Sequence, residues 1–265
     1  ASILYRYAKL KGWDVSKTAS LQDFADGADT SAWATRAMEW AYAEKLITGK
    51  DGKCLDPQGQ ASRAEVATIL MRLLESKAEK ALTGYGFGFH YFATKDEAVS
   101  YLRDTCAGKS VSMGGSMTMK QLGFPENFAD STDVHWHWID KGVYCQTPDV
   151  YLSSANGLSE TGEIVNIDGK CNRVAATLFG PKRCIFVCGV NKLRPDLQSA
   201  IERARNIAAP LNAKRLNKKT PCAVDGRCHN CKSPERICRA MVIHMGVPSG
   251  FESCEVVLIG EKLGY

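Results

Sequence analysis

The sequence has no apolar run long enough to cross a bilayer. Its longer ones, such as residues 184–190, span seven residues, against about 20 for a transmembrane helix. The segment from Ala1 shows no basic region followed by an apolar stretch, so no secretory leader is expected within it. The glycine fingerprint of a dinucleotide site, G-x-G-x-x-G, is missing, and no hydroxyl or thiol stands in a recognisable nucleophile–base motif. His135 and His137 flank Trp136 but have no third ligand nearby in sequence, which argues against a histidine metal clasp. Lysine and arginine bring the net charge to +5, yet they are spread along the chain. Their one dense stretch, Lys214, Arg215, Lys218 and Lys219, has no aromatic platform beside it. It reads as a solvated loop or an anion-facing rim, and no nucleic-acid partner is expected.

What the chain does contain is the composition of a folded, soluble protein, 45% hydrophobic and 24% charged. Its 265 residues suffice for two small domains or one larger one. Eleven cysteines are present, ten of them after residue 100. The odd total argues against complete disulfide pairing, so a reducing, cytoplasmic environment is expected.

The first part of the chain reads as helices. Residues 3–10 form a short amphipathic run ending at Gly12, and Trp33, Ala37, Trp40 and Ala41 mark one face of a second helix. Ser62 and Glu65 make a capping box for a third, along which Val66, Ile69, Leu70, Leu73 and Leu74 recur at helical spacing. Trp33 and Trp40 are expected in the helix-packing core, the other reading being direct contact with sugar. The motifs Phe24-Ala-Asp26, Leu46 to Gly49 and Arg63-Ala-Glu65 resemble the S-layer homology repeat, one and a half copies of which occupy this part. That resemblance implies a grip on cell-wall polysaccharide and, as the alternative location, the cell envelope.

The lysine- and alanine-rich residues 75–82 and the glycines 84, 86 and 88 read as a linker. We therefore expect an all-α module over residues 1–82 and an α/β domain over residues 83–265. In the latter, Thr94 and Glu97 form a further capping box. Short apolar runs at residues 110–113, 150–153, 184–187, 241–245 and 256–259 read as buried strands, and residues 195–208 as a helix between two of them. This alternation predicts a mainly parallel sheet with flanking helices.

In such sheets ligands sit beyond the carboxyl ends of the strands. After the first run come Gly114, Gly115, Ser116 and Thr118, suited to cradle an anion, although a tight turn with no ligand is an equal reading. After the next lie Asn156, Glu160, Asp168, Asn172 and Arg173, and after a third Asn191 and Lys192, whose ammonium can balance a carboxylate or phosphate. Together these loops, with Gly180-Pro181 and the ending Gly260 to Tyr265, resemble the lactate-utilisation (LUD) domain over residues 89–265.

The LUD resemblance implies a fold of the sugar-isomerase and CoA-transferase type and an association with oxidation of L-lactate to pyruvate, beside iron–sulfur partner subunits. The residues themselves support a small anionic metabolite as ligand. Glu160, Asp168 and Lys192 also offer base, acid and electrophile for an isomerase- or transferase-type reaction on a sugar phosphate or acyl-CoA. The alternative is that Asp168 caps a turn while Glu160 pairs with Arg173. A wall-binding module carrying a passenger domain is the third reading.

Cys222, Cys228, Cys231 and Cys238 are spaced so that thiolates from one turn and its flanks could surround a zinc ion or an iron–sulfur cluster. Disulfides or free thiols tying down a loop are the other reading. Cys106, Cys184, Cys188 and Cys254 fall in regular elements and are expected in the core.

Overall fold

The computed structural model of the chain describes residues 1–128, 130–131, 133–140 and 147–265. It divides into two compact units, Ala1–Ser76 and Lys77–Tyr265. Among the described residues no helix is long and apolar enough to cross a membrane.

The N-terminal unit contains α1 (Ser2–Leu10), α2 (Ala32–Ala43) and the first turns of α3 (Arg63–Gly84). Gly12 follows α1 with φ at 70°, a left-handed conformation that suits glycine. Ala8, Trp40, Ala41, Leu46 and Leu73 form the core, with Tyr5 edge-on to Trp40 at 5.5 Å. Trp33 departs from expectation. It lies in the first turn of α2, upstream of the buried stripe Ala37, Trp40 and Ala41, and is 74% exposed. The capping box at α3 is formed: Ser62 Oγ accepts from the Glu65 amide at 3.2 Å, and Glu65 Oε2 accepts from the Ser62 amide at 2.7 Å. Asp26 fastens the loop between α2 and α3, its carboxylate accepting from the amides of Leu55 and Asp56, both at 2.7 Å.

The last turns of α3 lead the C-terminal unit, placing Ala78 and Leu82 in its core. There follow β1 (Gly88–Phe92), α4 (Lys95–Cys106), β2 (Ser110–Met113), α5 (Met117–Gln121), β3 (Asp133–Trp136) and β4 (Val150–Ser153). A hairpin of β5 (Gly157–Ser159) and β6 (Ile164–Asp168) leads into α6 (Asn172–Ala175) and β7 (Arg183–Gly189). Then come β8 (Leu193–Arg194), α7 (Leu197–Arg203), α8 (Ala209–Arg215), α9 (Pro221–Asp225), β9 (Ala240–His244) and β10 (Ser253–Ile259).

Among the described residues six strands form one sheet in the order β1-β10-β7-β4-β2-β3, parallel throughout. The period of two along each strand assigns its faces. Val111, Met113, Val150, Leu152, Ile185, Val187, Val257 and Ile259 point to the side covered by Ala98, Leu102 and Cys106 of α4. Tyr151, Cys184, Phe186, Cys188, Val256 and Leu258 point to the other, where α3 and Leu158 and Ile164 of the hairpin pack. The buried cysteines 106, 184, 188 and 254 are thus small core residues, as expected, and burial pushes the Cys106 thiol up to about 12.

One expected strand changes place. Residues 241–245 read as a buried run, but β9 pairs antiparallel with β6 at the edge of a second sheet, β8-β5-β6-β9, and its Met241 is 41% exposed.

Candidate functional site

Parallel strands place all their carboxyl ends on one side, and there the loops after β2, β4 and β7 converge. After β2, both glycines are required by close neighbours rather than by a special φ. A Cβ on Gly114 would lie 2.8 Å from Cβ of Arg173, and one on Gly115 would overlap the indole nitrogen of Trp138. The Gly114 amide is already committed, donating to the Tyr151 hydroxyl at 3.0 Å. Ser116 caps α5, its Oγ accepting from the Met119 amide at 3.2 Å.

After β7 a single 3-10 turn, Val190–Lys192, folds the lysine inward until it is 3% exposed. Its Nζ donates to Thr118 Oγ1 at 2.7 Å and to Ser154 Oγ at 2.6 Å, and Ser154 in turn donates to the Val187 carbonyl at 2.6 Å. Burial strips the ammonium of water and lowers its pKa from 10.5 to about 8, with repulsion from Arg203 and Arg173 adding to the shift. No carboxylate pairs with it among the described residues, so an arriving anion would find a desolvated cation held by neutral hydroxyls.

Arg173, on α6, is braced against the hairpin: it donates to Asn166 Oδ1 at 2.6 Å and to the Ile167 carbonyl at 2.8 Å, and its Nε lies 3.5 Å from Asp168 Oδ2. Asp168 Oδ1 accepts from the amides of Lys170 and Cys171, both at 3.1 Å. That is the expected turn cap, but the ion pair to Arg173 belongs to Asp168 and not to Glu160.

Glu160 lies apart from this set. It pairs with Lys77 at 3.2 Å and does not line the cleft. The β5–β6 hairpin explains the separation, because an antiparallel pair carries the chain out and back. Asn156 and Asp168 therefore share one end while Glu160 stands at the tip, on the order of 15 Å away at about 3.3 Å per residue.

The cleft has a volume of about 850 Å³. Gly115, Ser116, Thr118, Asn156, Asp168, Asn172, Arg173 and Lys192 all line it, whereas Gly114 and Asn191 are not among its lining residues. Asn191 Oδ1 accepts from the Leu263 amide at 3.1 Å. Sequence reasoning missed Lys170, Arg236, Arg239 and Trp138, and Arg215 and Lys218 prove to be the inward members of the basic stretch. Arg215 lies over the Trp138 ring, 5.0 Å from its centroid. Seven cationic side chains thus face two carboxylates, Asp168 and Glu235, among the described lining residues. His137 also borders the cleft, whereas His135 turns to Asp133 at 3.0 Å.

Cys222, Cys228, Cys231 and Cys238 gather around a second cavity of about 260 Å³, which shares Ile167, Ala209, Arg236 and Arg239 with the cleft. Among the described residues no three histidine, cysteine, aspartate or glutamate side chains converge on a point as a single bound ion requires.

The family model of the LUD domain matches residues 76–259, and that of the S-layer homology domain matches residues 23–67. No curated protein matches the chain. Among solved structures it is similar to a DUF162 family protein from Deinococcus radiodurans. That protein is 16% identical, with 76% of this chain and 100% of the other covered and a TM-score of 0.44.

Proposed function

Because the chain belongs to the LUD domain family, we propose that its C-terminal unit binds a small anionic metabolite of lactate utilisation and serves as an accessory component of L-lactate oxidation to pyruvate. The observation that carries this reading is Lys192, a buried ammonium lining a cation-rich cleft and held, among the described residues, by hydroxyl partners alone. A carboxylate or phosphate entering there meets charge-assisted hydrogen bonds that are stronger than in water, because the site is already desolvated. Trp138 and Arg215 supply a flat wall for the rest of the ligand.

A thermal-shift and calorimetric screen with lactate, pyruvate, sugar phosphates and CoA esters tests it. At least one anion should bind, and Lys192→Met should weaken it at least tenfold. Silence across the set, or a hit indifferent to that substitution, overturns the reading.

A second reading concerns the N-terminal unit alone, as a module for cell-envelope polysaccharide. Its match to the S-layer homology domain and the exposed ring of Trp33 favour it, since a solvent-facing indole stacks well on a sugar face. Purified wall polysaccharide should retain the full chain and release it on Trp33→Ala; no retention of the unaltered chain refutes it.

A further inference from the structure

Four cysteines stand outside the chemistry of the anion cleft, and the chain is shaped to bring them together. Cys222 lies in α9, Cys228 and Cys231 on the loop after it, and Cys238 just before β9. Gly226, at φ 76°, reverses the chain after α9, and Asn230, at φ 46°, turns it again between the two central cysteines.

Arg236 then ties the segments together. Its guanidinium donates to the carbonyls of Cys231 at 2.7 Å and Cys238 at 2.8 Å and to Asn230 Oδ1 at 3.2 Å. Across the cavity the helix containing α7 and α8 is interrupted by a π-turn at residues 204–208, a feature that re-aims side chains and recurs at functional sites. From this turn Asn206 Oδ1 accepts from the Cys228 amide at 3.2 Å, and Arg205 reaches within 3.8 Å of Cys228 Sγ.

The setting discriminates among uses of four thiols. All four are half-buried and free among the described residues, so they do not fill a core. A lone zinc ion would draw its sulfurs to about 2.3 Å from one point, and no such convergence exists among the described residues. What lies between them is a space of about 260 Å³ bordered by Arg205, Arg236 and Arg239, large enough for a cuboidal cluster and positive enough to offset the negative charge of four thiolates on iron and sulfide.

The geometry points to a [4Fe–4S] cluster bound by Cys222, Cys228, Cys231 and Cys238, each thiol losing its proton as its sulfur ligates one iron of a cluster assembled from two ferrous ions, two ferric ions and four sulfides. This site does not depend on the anion reading. It adjoins the cleft, however, because Arg236 and Arg239 border both.

The full chain, purified without oxygen and reconstituted with equal amounts of ferrous and ferric iron and with sulfide, should carry about four iron and four acid-labile sulfide per chain, with a paramagnetic signal after reduction by dithionite. The double variant Cys228→Ser/Cys231→Ser should lose at least nine-tenths of both, and Cys54→Ser should lose neither. Zinc without sulfide, an unaltered chain that takes up no iron, or a double variant that keeps its cluster overturns the assignment. The iron, sulfide and spectral readings of the unaltered chain decide the matter even where the double variant fails to fold.

Discussion

Replacing Lys192 with Met should stabilise the C-terminal unit while weakening its affinity for anions at least tenfold. Lowering the ammonium pKa from 10.5 to about 8 corresponds to a cost of about 3 kcal/mol for keeping the buried lysine charged, at about 1.4 kcal/mol per unit. Methionine, of similar length, removes that cost. It also removes the hydrogen bonds to Thr118 and Ser154, together worth about 2 kcal/mol. The two hydroxyls, 3.2 Å apart, keep each other, and Ser154 keeps Val187, which leaves a net gain of about 1 kcal/mol at pH 7.

The dependence on pH carries the sign. The native lysine has the lower pKa, so below about 8 it is charged in both states and the full cost is present. As pH rises from there towards 10.5 the native lysine becomes neutral first and the unaltered chain recovers. Urea denaturation at pH 7 and pH 9.5, followed by far-UV circular dichroism, should show the variant ahead at the lower pH and the gap closing or reversing at the higher. A variant less stable by about 2 kcal/mol at both pH values would show that Lys192 is a structural strut and not a strained binding group.

Affinity for an anion whose own charge is constant should fall about tenfold between pH 7 and pH 9, following loss of the ammonium near 8; isothermal titration giving a flat profile would contradict the role of Lys192. Glu160→Gln should leave anion affinity within about twofold, because Glu160 pairs with Lys77 outside the cleft, and should cost about 1–3 kcal/mol in stability, because the pair is largely shielded from solvent. A tenfold loss of affinity in calorimetry would return Glu160 to the site.

Local chemistry was the legible part of the fold. The box at Thr94 and Glu97 forms as read, both of its hydrogen bonds present, since a cap depends only on residues three positions apart. The buried runs of β2, β4, β7 and β10 announced a covered parallel sheet because strands buried on both faces have no polar side. β9 misled for the converse reason: an apolar run does not say which sheet it joins, and pairing with β6 at an edge left part of it exposed.

The candidate site divides along the same line. Residues that directly follow strand ends, such as Ser116, Asn156 and Lys192, could be placed from order along the chain, because a parallel sheet delivers every such end to one side. Glu160 could not, because a hairpin returns its far end to the site but not its tip. Arg215, Arg236 and Arg239 are distant in sequence from the strand ends they face, and only packing brings them to the cleft. The spacing of Cys222, Cys228, Cys231 and Cys238 named a set of thiols from the chain alone. Their enclosure of one cavity, and its common wall with the cation-lined cleft, arises from contacts between segments that spacing along the chain does not encode.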